Sequence, residues 1–162
     1  MKNILCFWLF IIPFLAISQN KSQTVFMNVV RIIDGDTFEG RSGNETYRIR
    51  LNGIDAPEKK QDFGNVCKQR LGDLCKGGQI KVILLKKDFF DRWLGEVYNY
   101  KGVHVNQQLV KEGLAWHFTK YSKDPVLARI QKEAQQAKAG LWQMKTVVAP
   151  WEFRKKGRGK RK

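Results

Sequence analysis

Residues 25–51 read VFMNVVRIIDGDTFEGRSGNETYRIRL. Three runs rich in β-branched and aromatic residues are punctuated twice, by Asp-Gly-Asp at 34–36 and by Ser-Gly-Asn at 42–44. Residues 25–33 have the composition of a strand. Residues 37–41 and 46–51 flank Ser42-Gly43-Asn44 as the two arms of a hairpin. The same signal returns downstream. Residues 80–85 alternate Ile, Val and Leu around Lys81, and residues 94–100 and 102–105 flank a turn at Lys101-Gly102. About five strands arriving as hairpins predict a small antiparallel barrel.

Three helical patterns interrupt the strands. Over residues 62–74, Phe63, Cys67, Leu71 and Leu74 fall on one stripe, and Gly77-Gly78 ends the run. Asn106 reads as the N-cap of a short helix ending at Gly113. Asp124-Pro125 is a cap followed by proline at the first helical position, and that helix runs through Leu127, Ile130, Ala134 and Ala137 to Gly140. The predicted architecture is α+β, a five-stranded barrel with three helices, in one domain over residues 19–153.

The two ends read differently. Lys2 precedes an apolar run from residue 4 to 17, and Ala16-Ile17-Ser18 resembles a cleavage site, so residues 1–18 are expected to be a signal peptide. The run is shorter than the roughly 20 residues of a membrane span. The mature protein is therefore expected to be secreted or periplasmic, with no integral membrane segment after signal cleavage. At the other end RKKGRGKRK, residues 154–162, is expected to be a basic disordered tail. The whole chain carries a formal charge of +15. Without Lys2 and the seven basic residues of the tail, the folded part keeps about +7. That excess favours a polyanionic partner, nucleic acid before an acidic membrane or cell-wall surface.

Two cysteines remain after residue 18. Cys67 and Cys75 share a helix face but stand two turns apart, about 12 Å at helical rise, beyond disulfide reach. They are expected to be buried thiols. His104 and His117 show no ligand spacing with them, so a zinc site has no support.

In so cationic a chain the acidic residues stand out. Asp34 and Asp36 end the first strand, with Gly35 permitting a tight turn. Asp55 and Glu58 lie in RLNGIDAPE, residues 50–58, just after another strand. Strands linked by a hairpin can bring Asp36 and Asp55 together across one end of a barrel. Carboxylates with a backbone carbonyl make a hard-oxygen site, suited to Ca²⁺, Mg²⁺ or Mn²⁺ rather than zinc or copper. An EF-hand beginning at Asp34 fails, because Phe38 stands at its fifth position and Glu39 where glycine is required.

Taken together, IIDGDT at 32–37, the Arg-x-x-x-x-Asp-Ala-Pro-Glu pattern at 50–58, VNQQLVKEGLAW at 105–116, KYSKDP at 120–125, AGLW at 139–142 and PWEFR at 150–154 resemble the staphylococcal nuclease (thermonuclease) family. The resemblance implies an OB-type barrel with three helices that cleaves DNA and RNA phosphodiesters using one Ca²⁺ ion. It implies that Asp36, Asp55 and the carbonyl of Ala56 bind the ion, with Asp34 behind them. Glu58 would be the general base, and Arg50 would contact the reacting phosphate. Matching backwards without gaps from Gly95-Glu-Val-Tyr98 places Arg92 at the family's second arginine. Asp91 then replaces a glycine, and as its neighbour would weaken the field of Arg92. Tyr121, with Lys120 beside it, matches a position near the nucleotide. The chain is expected to act as a monomer. The alternative is a non-catalytic OB-fold that binds nucleic acid, but a mere binder would not need carboxylates facing a polyanion.

Overall fold

The computed structural model describes residues 22–159, so the expected signal peptide lies outside the described residues. The chain forms β1 (Gln23–Ile32), β2 (Thr37–Ser42), β3 (Glu45–Leu51), the two-residue β4 (Ile54–Asp55) and α1 (Gly64–Cys75). It continues through β5 (Ile80–Lys87), β6 (Trp93–Tyr98), α2 (Val105–Lys111), the two-residue β7 (Trp116–His117) and α3 (Pro125–Gln136). A 3₁₀ turn at Gly140–Gln143 leads to α4 (Pro150–Gly159).

The five long strands close into a barrel in the order β1-β2-β3-β6-β5. The expected hairpin is there, with Thr37 opposite Arg50 and Ser42 opposite Glu45. Three further pairings are antiparallel, but β3 and β6 run parallel. The reason is connectivity: after β3 the chain leaves through β4 and α1, and returns by β5 before β6 is laid down. The barrel is therefore mixed. Period-two alternation fills its interior, with Ile80, Val82 and Leu84 inside from β5, and Met27, Phe38, Ile49, Leu51 and Val97 from the other strands. The parallel seam requires Gly95. A Cβ there would lie 2.9 Å from Val82 Cγ1 and 3.0 Å from Ile49 Cγ2.

Helix α1 buries the predicted stripe of Cys67, Leu71 and Leu74, with Cys75 added. Both cysteines are free and buried. Burial pushes the Cys75 thiol up to about 12 and the Cys67 thiol higher still, so neither is a nucleophile at neutral pH. Asp124 caps α3 as expected, accepting from the N–H of Val126 at 2.7 Å ahead of Pro125.

Four local expectations are corrected. Residues 102–105 form no strand, because the Asn99 side chain takes the N–H groups of Lys101 and Val103 into a turn, leaving a single bridge from Tyr98 to His104. Asn106 is no N-cap: His104 holds that position, and Asn106 is buried within α2. Its amide accepts from Val97 N–H and donates to the carbonyls of Asn52 and Gly95, tying α2 to β6. Helix α3 stops at Gln136, short of Gly140, because Lys138 turns left-handed at φ 52°. The stretch from residue 154, expected as a disordered tail, is helical through Gly159 as part of α4. Its remainder, 160–162, lies outside the described residues.

Candidate active site

Three connected segments meet at one end of the barrel. The first is the Asp34-Gly35-Asp36 turn between β1 and β2. Asp34 Oδ1 accepts the N–H of Asp36 at 3.1 Å, which closes the turn. Gly35 is needed for closeness rather than for a left-handed backbone, since it is not among the residues with positive φ. A Cβ on it would stand 2.7 Å from Ala56 Cβ and 2.8 Å from Cys67 Sγ. The Cys67 thiol donates to the Gly35 carbonyl at 3.3 Å, so α1 holds the turn from behind. Burial, and next the charge of Asp36, pushes the Asp34 carboxyl up to about 6.

The second segment is the end of β3 with the loop beyond it. Cross-strand pairing sets Arg50 opposite Thr37, next to Asp36. The Arg50 guanidinium spans both aspartates: Nη1 lies 3.0 Å from Asp36 Oδ2, and Nη2 donates to Asp55 Oδ1 at 2.9 Å. Nη1 also donates to the Ile54 carbonyl at 3.2 Å. Asp36 is 6% exposed and Asp55 1%. Burial works against the charge on Arg50, but Asp36, Asp55 and Asp34 outweigh it and hold the guanidinium above its ordinary value. Asp36 Oδ2 also accepts the N–H of Ala56 at 2.9 Å, and Asp36 Oδ1 accepts from the Thr37 hydroxyl at 3.0 Å. The expected meeting of Asp36 with Asp55 is therefore real, and Arg50 sits between them. The pairing of β4 with β7, Asp55 opposite Trp116, fixes Asp55 from its other side. Glu58 follows on a loop held by the Gln61 side chain, whose Oε1 accepts the Glu58 N–H at 2.9 Å.

The third segment was not among the residues proposed from the sequence. Helix α4 delivers Arg154, whose Nη2 donates to Asp55 Oδ2 at 2.7 Å and Nη1 to Glu58 Oε1 at 2.7 Å. Burial again works against the charge, and the bonds to Asp55 and Glu58 overcome it, so Arg154 stays fully protonated. The PWEFR stretch at 150–154 carried the signal. It ends on this arginine, and its tryptophan is the anchor that aims it: Trp151 stacks on Phe118 at 5.2 Å and meets Trp116 edge-on at 5.5 Å.

Arg92 stands in a different setting. Its Nε and Nη2 donate to Asp88 Oδ2 at 2.9 and 2.6 Å, not to the acidic cluster. Asp88 Oδ1 also accepts the N–H groups of Phe90 and Arg92, which folds 88–92 into a tight turn. Burial disfavours the Asp88 charge, but the bonds from Arg92 prevail and hold the carboxyl below its usual range. Asp91, expected to weaken Arg92, instead turns outward at φ 58° and pairs with Lys87 at 2.7 Å. Tyr121 is 72% exposed, edge-on to Phe118 at 4.8 Å, with Lys120 Nζ 5.3 Å from its ring centre. These two lie on the aromatic wall that also seats α4.

An acidic, arginine-bridged cluster at the end of an OB-type barrel defines a class of α+β proteins before any relative is considered. A sequence model of the family described as staphylococcal nuclease homologue matches residues 48–144. That span contains Arg50, Asp55, Glu58 and Arg92 but neither Asp36 nor Arg154. An uncharacterized endonuclease of Escherichia coli O157:H7 is 44% identical over 126 residues, covering 78% of this chain and 82% of its own. A micrococcal nuclease of Shigella flexneri is 38% identical over 137 residues, covering 78% and 79%. An uncharacterized endonuclease of Haemophilus influenzae is 38% identical over 128 residues, covering 78% and 71%. The chain belongs to the staphylococcal nuclease family. With membership come a nuclease-type fold and function in general, and interaction with nucleic acid. No helix of the described residues is long and apolar enough to cross a membrane.

Proposed function

We propose that the chain is a Ca²⁺-dependent nuclease that hydrolyses the phosphodiester bonds of DNA and RNA, with Glu58 as general base. The observation that carries this reading is the convergence of Asp36, Asp55 and Glu58 on two guanidinium groups at one end of the barrel. Among the described residues no group of three or more His, Cys, Asp or Glu stands ready as a metal cage. The donor set on offer is smaller: Asp36, Asp55 and the Ala56 carbonyl, all hard oxygens. Arg50 and Arg154 lie against these carboxylates, whose oxygens therefore already serve as acceptors for cationic groups. So few ligands suit a loosely held calcium ion that keeps much of its water.

A bound calcium ion would polarise the phosphoryl group as a Lewis acid. The chain's own residues supply the rest. Arg50, fixed by two buried carboxylates, presents a planar, permanently charged donor toward a phosphate brought to the cluster. Such a donor gains strength as negative charge grows on the phosphoryl oxygens. Glu58, its side chain 39% exposed and so open to solvent, would take the proton from an attacking water. Arg92 adds a second phosphate contact when substrate draws it from Asp88. Tyr121 and Lys120 offer a ring and a charge to the neighbouring nucleotide.

The test is hydrolysis of DNA and of RNA by the purified protein, with calcium and with a chelator in excess. Cleavage of both polymers with calcium, abolished by the chelator and restored on re-addition, is the expected result. Undiminished cleavage in the chelator would overturn the role given to the cation.

A further inference from the structure

We infer that Arg154 is a tethered counter-ion of the cation site, occupying Asp55 and Glu58 when the cation is absent and yielding Asp55 when it binds. The inference rests on reading Asp36 and Asp55 as the cation's ligands.

Geometry argues for exchange over simple support. Both oxygens of Asp55 are committed: Oδ1 to Arg50 at 2.9 Å and to Arg154 at 3.3 Å, Oδ2 to Arg154 at 2.7 Å. One lone pair of Oδ2 stays open, but a dication taking it would share that oxygen with the Arg154 guanidinium, whose Nη2 is 2.7 Å away. Arg50 enters from β3 and is only 11% exposed, so the barrel holds it in place. Arg154 is the replaceable partner, with a side chain 37% exposed on the last turns of the described chain. Charge leads to the same conclusion. A dication on Asp55 Oδ2 with Arg154 still seated would stand within a few ångströms of that guanidinium, and like charges so close repel strongly in a half-buried site.

The mooring of α4 makes the displacement local. Trp151 is stacked on Phe118, and the Val148 carbonyl accepts from Gln61 Nε2 at 3.0 Å, next to the Glu58 loop. With the helix base fixed, a displaced Arg154 side chain swings on its own flexible stem and stays at the rim of the site. There it is a third guanidinium within reach of an anionic ligand. Arg154 is thus a positioning residue, acting on the cation through Asp55.

Calorimetric titration of the full chain with calcium chloride tests this without reference to turnover. Arg154→Gln removes the competing charge and is expected to tighten calcium binding about tenfold, the size of one charge-assisted hydrogen bond set free. Arg154→Lys keeps the charge but loses the two-pronged grip, and is expected to fall between the two. Unchanged or weaker binding in the Gln variant, with parental circular dichroism, would overturn the exchange and leave the cation reading standing. Were the Gln variant to unfold, the Lys variant decides alone: tighter binding than the parent supports the exchange, and equal or weaker binding overturns it. Absence of calcium binding in the parent and in both variants would overturn the cation reading and this inference together.

Discussion

Arg50 and Arg92, the two arginines assigned to the phosphate, sit in opposite surroundings. Arg50 rises from a barrel strand into a buried ring of Asp36, Asp55 and the Ile54 carbonyl. Arg92 lies on a turn, paired with Asp88 and 5.4 Å from the centre of the Phe90 ring, with a side chain 18% exposed. The first is part of the frame, so its loss leaves buried Asp36 without a counter-charge and Asp55 with Arg154 alone. The second is engaged in a local ion pair, from which the proposed mechanism has substrate draw it. The proposed mechanism thus asks the same chemistry of a rigid and of a yielding position, and the difference is measurable.

The largest combined effect is expected at the frame. Arg50→Gln should cost about 3–5 kcal/mol of stability, the usual penalty for breaking a buried ion pair, and at least about 100-fold in turnover. Denaturant unfolding and rate measurements on the same preparation check both. If Arg50 could be removed with stability intact, the contrast with Arg92 would collapse. Arg92→Gln should lower turnover about 100-fold, as for loss of one transition-state donor. Its stability should change by about 1–2 kcal/mol, less than for Arg50, because Asp88 keeps the N–H groups of Phe90 and Arg92 as partners. A melting-temperature scan beside the kinetics separates the two outcomes.

The smallest effect concerns pH. The Asp88 carboxyl is held below its ordinary value by Arg92. Its contribution is therefore present above a pH of about 4 and is lost as pH falls through the lowered value in the folded state. Solvent screening limits this to about 0.5 kcal/mol. Asp88→Asn should remove that part of the acid sensitivity, read as a flatter stability profile between neutral pH and about 3. A profile unchanged from the parent would mean that Arg92 is not held by Asp88 in solution.

The barrel was legible because period-two alternation and turn residues are local signals, and residues 25–51 carry both. Asp36, Asp55 and Glu58 could be found because acids are scarce in a basic chain and fall beside strand ends, and Arg50 through the Arg-x-x-x-x-Asp-Ala-Pro-Glu pattern that resembles the family's. The parallel β3–β6 pairing could not be read, since it depends on where the chain travels between strands. Two-residue elements such as β4 and β7 are too short to show a period. Asn106 looked like a cap because its amide suits one, yet its partners on β6 and at Asn52 come from distant sequence. Arg154 was hidden by composition. Seven basic residues in nine resemble a solvated tail, and although PWEFR marked the stretch, it is the docking of Trp151 against Phe118 that brings its arginine to the acidic cluster. At Arg92 the influence expected of its neighbour Asp91 falls to another acid for a simple reason. The adjacent Asp91 points away, and Asp88, four residues back, closes the turn.

The most direct test of the acidic cluster as a catalytic centre is Glu58→Gln, a change that preserves shape while removing the base. Hydrolysis of single-stranded DNA by the variant, with calcium saturating and folding verified by its melting temperature, is expected to fall about 10²–10⁴-fold. Turnover within a few-fold of the parent would contradict the assignment of Glu58 and, with it, the catalytic reading of the cluster.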